Sequence, residues 1–464
     1  MSTVDLLTNF SFGYYKDNIG DLYPGSPADP LASYFPGPNV STGDPRVNFS
    51  SAPAFHPLIN FILGSWLSDA GNAISNNSWG SLQSIPRTWT VNAETAIIYQ
   101  IDGSLTGQNP LQGRFGADNG IFVWVNGEYK FGALAPGVAT PGEYTVNLGI
   151  LKPGKNYIQI LREDHGVTNG SDIRITGEVE PGIFIESSPV TFGFGYDHLY
   201  LVYKDVDGKE TILSAGQTID TGSLGVRGTG KPLLIENSSE KRLNETLVDR
   251  GSRRLDLGGR NPKEVWEMMR QQARNINAAE LPYAALIDAQ NSNSAVASLL
   301  HSVGININKN IPLNTKASDL PGIENLLMLP VMMQGSAADD ILYGGAGNSE
   351  LFGKAGRDIL VGEGGNDILN GGSGNDRTNG GSGRNKVLLG PGRDIHELTK
   401  GAGVDIIQDF RDRQDKLALP SNLKIGKMEF IQRGSDTLIK QNADLLAVLN
   451  GVEFDLITAS DFVR

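Results

Sequence analysis

Residues 335–397 divide into nines: GSAADDILY, GGAGNSELF, GKAGRDILV, GEGGNDILN, GGSGNDRTN, GGSGRNKVL and LGPGRDIHE. The shared pattern is G-G-x-G-x-D-x-U-x, with U apolar, and it decides the fold of this part of the chain. Glycine takes the positive φ that tight turns need and that side-chain-bearing residues resist. The last three residues of each unit form a short strand with its apolar residue inward. Two units make one coil, so units two apart stack directly. Asp340, Asp358, Asp376 and Asp394, each 18 residues from the next, then line one edge. Ser349, Asp367 and Asn385 line the other, which is expected to hold metal weakly or not at all.

A carboxylate is the hard oxygen donor that Ca²⁺ prefers, and tight turns add backbone carbonyls. The expected ligands are the four aspartates and Asp367, with Gly335, Gly353, Gly371, Gly356 and Gly374 in the turns. Three ion positions fall between successive pairs of the first column. The inward positions Leu342, Leu351, Leu360, Leu369, Thr378, Val387 and His396 become polar toward the C-terminus, so His396 reads as an edge or capping residue.

The repeat resembles that of the RTX family of secreted bacterial proteins. The resemblance implies a calcium-dependent parallel β-roll, a secreted or cell-surface location, and export by type I secretion machinery from an uncleaved C-terminal signal. Gly403–Leu419 (GVDIIQDFRDRQDKLAL) is similar to the cap after such repeats, and Phe454–Val463 (FDLITASDFV) to the terminal signal.

Composition agrees. The chain has 464 residues, 58 glycines, no cysteine and a net charge of −13. Cysteine-based zinc sites, thiol nucleophiles and disulfides are excluded. The acidic balance argues against nucleic acid as a partner. No apolar run is long enough for a membrane-spanning helix. The N-terminus, MSTVDLLTNFSFG, lacks the basic start and apolar core of a cleavable signal.

The expected fold class is multidomain and mainly β. It comprises a β-sandwich or jelly roll at 1–182, an α+β domain at 183–330, and the roll with its cap at 331–464. In the first part, Ile121–Val125 alternates and runs into Asn126-Gly127, a hairpin signal. Further strands are expected at Thr88–Val91, Ala96–Ile101, Glu143–Leu148 and Tyr157–Leu161. Ala117–Gly166 resembles galactose-binding-like jelly rolls, which implies carbohydrate as a ligand. Asp102, Asp118, Asn119, Glu163, Asp164 and His165 are the polar candidates, with Trp124 or Tyr129 as a stacking face.

In the middle region Tyr196–Tyr203 reads as a strand. Asn261-Pro262 and Glu264 open a helix running to Ile276, and a second helix spans 293–303 and stops at Gly304. His198 at a strand start and Ser292 at a helix start are similar in placement to the permuted papain-like fold of the lecithin–retinol acyltransferase group. Serine stands where that family carries cysteine. A hydroxyl is not activated by a helix dipole as a thiol is; it needs a base and an oxyanion hole. A Ser292/His198 hydrolase or acyltransferase therefore stands as the alternative to a surface or adhesion protein. Arg253, Arg254 and Arg260 form a basic loop for an anion, the acidic repeats or solvent.

Overall fold

The computed structural model describes residues 2–17, 19, 47–52, 61–76, 79–89, 94–135, 139–163, 170–189, 197–217, 233–236, 245–279, 292–313, 315–327, 329–401 and 403–464. The chain is mainly β, with antiparallel sheets toward the N-terminus and a parallel solenoid at the C-terminus.

Two antiparallel sheets open the chain. One orders Ser2–Leu7, Ser171–Val179, Leu111–Ala117 and Tyr144–Gly149. The other has seven strands, with Asn119–Val125, Lys155–Glu163 and Thr95–Asp102 at its centre. Asn126 and Gly127 take φ of 52° and 78°, the paired left-handed geometry of a two-residue hairpin, and Val125 pairs with Glu128. Ile97, Tyr99, Ile101, Ile121 and Val123 face the first sheet across a shared core. The alternate residues Ala96, Ile98, Phe122 and Trp124 are also buried, under Trp66, Trp79 and the short Ala70–Ser75 helix. A strand covered on both faces has no reason to alternate, so Thr95–Asp102 is buried throughout.

The middle sheet orders Leu233–Glu236, Glu210–Gln217, Asp197–Lys204, Gly182–Pro189 and Arg253–Arg254. Its faces serve different neighbours. Phe184, Tyr200, Val202 and Ile212 extend the core of the N-terminal sheets. Ile183, Ile185, Leu199 and Leu201 pack under the Pro262–Ala278 and Ser292–Ser302 helices. Asn261 caps the first helix by accepting from the Lys263 amide at 2.9 Å. The second ends at Gly304, with φ of 73°. A Cβ there would come 2.5 Å from Ile341 of the roll, so this helix end sits directly on the first coil.

The roll pairs strand with strand in parallel at an offset of 18: Leu342 with Leu360, Leu360 with Thr378, Leu351 with Leu369, Leu369 with Val387. Leu342, Leu351, Leu360 and Leu369 are all fully buried and merge with the helix core above them. At the other end Val387, Leu389, Leu398, Ile407, Leu417 and Ile439 form a separate cap core. The Pro262–Ala278 helix reaches over the first strand, Met332–Gln334. Gln271 donates to the Gln334 carbonyl at 3.1 Å and accepts from its amide at 3.0 Å, while Asn275 donates to the Met332 carbonyl at 3.0 Å. At the far end Phe462–Val463 pairs with Lys416–Ala418.

Leu360 lies in both the roll core and the core under the helices. Leu360→Ala is expected to lower stability by about 2–5 kcal/mol, as large-to-small changes at closed core sites do. Denaturant unfolding of the full chain in saturating calcium measures it; a loss below about 1 kcal/mol would show that this column carries little of the fold.

Candidate metal centre

Each position of the nine-residue unit has its own task. The first glycine is needed for close approach. A Cβ at Gly353 would meet the Gly371 carbonyl at 2.3 Å and Asp358 Oδ2 at 2.4 Å. At Gly371 the distances are 2.6 Å to the Leu389 carbonyl and 2.6 Å to Asp376 Oδ2, and at Gly335 they are 2.6 Å to the Gly353 carbonyl and 2.7 Å to Asp340 Oδ2. The second and fourth positions turn the chain. Gly372 and Gly390 take φ of 95° and 88°; Gly356 and Gly374 take 121° and 144°. Even Lys354 and Glu363, at second positions, are held at 80° and 68°. Carbonyls of these turns point along the axis at the next coil. Those of Lys354 and Gly356 would lie 2.0 and 1.6 Å from a Cβ on Gly372 and Gly374, so those residues too must be glycine.

The aspartates build a ladder. Oδ1 of Asp358, Asp376 and Asp394 accepts the backbone N–H of Asp340, Asp358 and Asp376 at 2.8, 2.9 and 2.9 Å. The ladder runs on to Asp415, whose Oδ1 accepts from the Asp394 amide at 3.2 Å. The second edge is built alike: Ser349 donates its N–H to Asp367 Oδ1 at 2.7 Å, and Asp367 to Asn385 Oδ1 at 2.9 Å.

One carboxylate oxygen is thus used and the other is left. Oδ2 of Asp358, Asp367 and Asp376 is buried without a hydrogen-bond donor. Burial pushes the Asp358, Asp367 and Asp394 carboxyls up to about 7 and raises Asp376, against the lowering effect of the N–H bonds. An orphaned anionic oxygen beside stacked carbonyls fits a cation. Among the described residues no three His, Asp or Glu side chains cluster closely enough to hold a metal by themselves, so carbonyls must complete the shell. Asp358 with the carbonyls of Lys354, Gly356 and Gly371 would hold Ca²⁺ between two coils, and the ion would supply the positive charge that the carboxylates lack. Asp367, on the second edge, has similar surroundings: a Cβ at Gly362 would meet its Oδ2 and the Gly380 carbonyl, each at 2.5 Å.

Residues 333–360 and 352–387 match the RTX calcium-binding nonapeptide repeat. This segment of the chain consists of RTX calcium-binding repeats. No curated protein matches the sequence. Among solved structures, the extracellular lipase LipA from Serratia marcescens is similar over 30% of this chain and 41% of its own, at 14% identity and a TM-score of 0.16. The AlgE6R2 and AlgE6R3 subunits of the Azotobacter vinelandii mannuronan C5-epimerase are 22% and 25% identical, each over 29% of this chain and over 92% and 77% of their own, with TM-scores of 0.16 and 0.14. The chain spans about two fifths of the lipase.

His396 lies inside the RTX roll rather than at its edge. It is fully buried, with Nδ1 2.9 Å from Thr378 Oγ1 and Nε2 2.9 Å from Asp405 Oδ2. Both ring nitrogens are satisfied within the chain, so it is no metal ligand. Asp405 and Asp415 escaped the sequence reading because the interval lengthens beyond the repeats, from 18 to 20 residues after Asn385 and 21 after Asp394.

The other candidates are placed differently. His198 shares the strand face of Tyr200, with Nε2 2.8 Å from Ser214 Oγ, whereas the Ser292–Ser302 helix packs on the opposite, Leu199 face. Asn293 at that helix start binds the Leu199 amide and the Asp197 carbonyl. The fold therefore brings the helix start to the strand but turns the imidazole away from it; the Ser292 side chain lies outside the described residues. Asp118 is buried. Asn119 opens its strand and Glu163 ends the neighbouring one opposite Gly120, so the three share one end of the sheet. The side chains of Asn119 and Glu163, and Asp164 and His165 altogether, lie outside the described residues. Asp102 is at the opposite end, bound to Arg253 at 2.9 Å. Trp124 is core and Tyr129 donates to the Phe49 carbonyl, so Trp124 offers no stacking face. Arg254 binds Glu180 and Arg260 binds the Val303 carbonyl.

Carboxyls raised from 3.8 to about 7 bind more protons folded than unfolded between those values. Stability therefore falls as pH rises through that window. In calcium-depleted buffer the chain is expected to melt at a higher temperature near pH 5 than near pH 7.5. Calcium removes the difference, because the ion holds the deprotonated form. Equal melting temperatures in depleted buffer would contradict the ladder chemistry.

Proposed function

We propose that this chain is a secreted or cell-surface protein whose RTX repeats fold on calcium after export. The unpartnered Oδ2 atoms of Asp358, Asp367 and Asp376 carry this reading. Buried anions of that kind oppose folding until a cation joins them. Extracellular modules of this type bind calcium at roughly 10⁻⁴–10⁻³ M, far above cytosolic levels, so the repeats stay unwound inside the cell and wind outside it. Export by type I machinery through the C-terminal end belongs to the same proposal, as does the division at about residues 182 and 330. Circular dichroism of the full chain, titrated with calcium and then chelator, is expected to show a reversible gain of sheet. A spectrum indifferent to both would end this reading.

For the N-terminal part we propose attachment, with carbohydrate as the ligand. The support is the gathering of Asp118, Asn119 and Glu163 at one end of a sheet and the jelly-roll-like texture of the sequence. Glycan-array binding by the full chain, weakened by Asp118→Ala with the calcium response intact, is the expected result; no binding to any glycan would leave the part a structural scaffold. The hydrolase or acyltransferase reading finds less support, because His198 faces away from the helix that begins at Ser292.

A further inference from the structure

The last turn of the aspartate ladder ends on an arginine. Arg411 Nη2 donates to the carbonyls of Gly390 and Gly392, the latter at 3.1 Å, to Asp394 Oδ2 at 3.3 Å and to Asp415 Oδ1 at 3.2 Å. Gly390, Gly392 and Asp394 are the second, fourth and sixth positions of the final unit. They are the counterparts of Lys354, Gly356 and Asp358 two coils earlier, where the carbonyls point at the next coil and Oδ2 has no donor. The guanidinium thus sits where the oxygen set of the final unit converges.

The loop is built to hold it there. Asp415 Oδ2 accepts the Arg411 amide at 2.9 Å, the Asp415 amide returns to the Arg411 carbonyl at 3.0 Å, and Gln414 donates to the Gly392 carbonyl at 2.6 Å. Asp409 fixes the entry by accepting from the amides of Leu389 and Gly390 at 2.8 and 2.9 Å. The second edge is closed in a parallel way, with Asn385 donating to Asp405 Oδ1 and His396 facing Asp405 Oδ2.

We propose that Arg411 is a built-in cation that replaces calcium in the last gap of the first edge, so that this gap is closed by protein and takes no metal. Nη2 of this planar cation lies within hydrogen-bond reach of two carboxylates and two carbonyls, and Nε donates to Asp415 Oδ2 at 3.3 Å. A divalent ion among the same oxygens would meet its positive charge, so the two exclude each other. The proposal rests on the calcium reading of the repeats and adds which gap the metal avoids.

The test counts bound calcium per full-length chain by equilibrium dialysis. Asp358→Asn, in an interior gap, is expected to lose at least one ion. Asp415→Asn, which touches only the gap that holds Arg411, is expected to lose none. Arg411→Ala is expected to gain one. Loss of an ion in Asp415→Asn, or an unchanged count in Arg411→Ala, overturns the proposal. If Arg411→Ala does not fold, the Asp415→Asn count still decides. A wild-type chain that binds no calcium sinks the repeat reading instead. In that event amide exchange over 390–418 in chelator still tests Arg411: faster exchange in Arg411→Ala than in wild type supports the plug, and equal exchange refutes it.

Discussion

Stacked aspartates, with one oxygen of Asp358, Asp367 and Asp376 spent on the backbone and the other left bare, are the constraint around which the C-terminal part is organised. Parallel backbone pairing sets the rise from coil to coil, and hydrogen bonding through Oδ1 spans it, the amide of one aspartate reaching the side chain of the next. The same bonding aims Oδ2 into a space walled by carbonyls. Apolar packing alone does not balance that burial of charge. The leucine column is four residues deep before Thr378 and His396 interrupt it. The repeats are of a calcium-binding type, and a bound cation would supply the charge that this thin core does not balance.

The N-terminal sheets, the middle sheet with its helices and the roll do not keep separate interiors. Phe184, Tyr200 and Val202 belong to the core of the N-terminal sheets, while their strand neighbours Ile183, Ile185, Leu199 and Leu201 belong to the core that continues into Leu342 and Leu360 of the roll. One middle sheet is buried on both faces, by a different partner on each. Winding of the first coils is thereby coupled to the seating of the Ser292–Ser302 helix, whose end at Gly304 touches Ile341.

Much of this was legible in the sequence, and for physical reasons. The offset of 18 follows from glycine spacing, since only glycine meets the positive φ and the close carbonyl approach without cost. Asn126-Gly127 and Asn261-Pro262 announce a hairpin and a helix start through local backbone chemistry alone. What stayed hidden depends on partners distant in the chain. The face on which His198 stands is fixed by which side of the sheet receives a helix. The place of His396 is fixed by Asp405, and the end of the ladder by Arg411, in segments where the repeat period has already broken. The two-sided burial of Thr95–Asp102 depends on tryptophans about 20 to 30 residues away.

A parallel roll of stacked strands is in principle open to endless growth, each terminal coil offering a template to another copy. Gln271 answers this by imitating peptide: its side-chain amide gives and takes one bond each with Gln334, as a further strand would. The helix thus lends the edge strand a side chain that takes up, at Gln334, the donor and acceptor through which another strand would add.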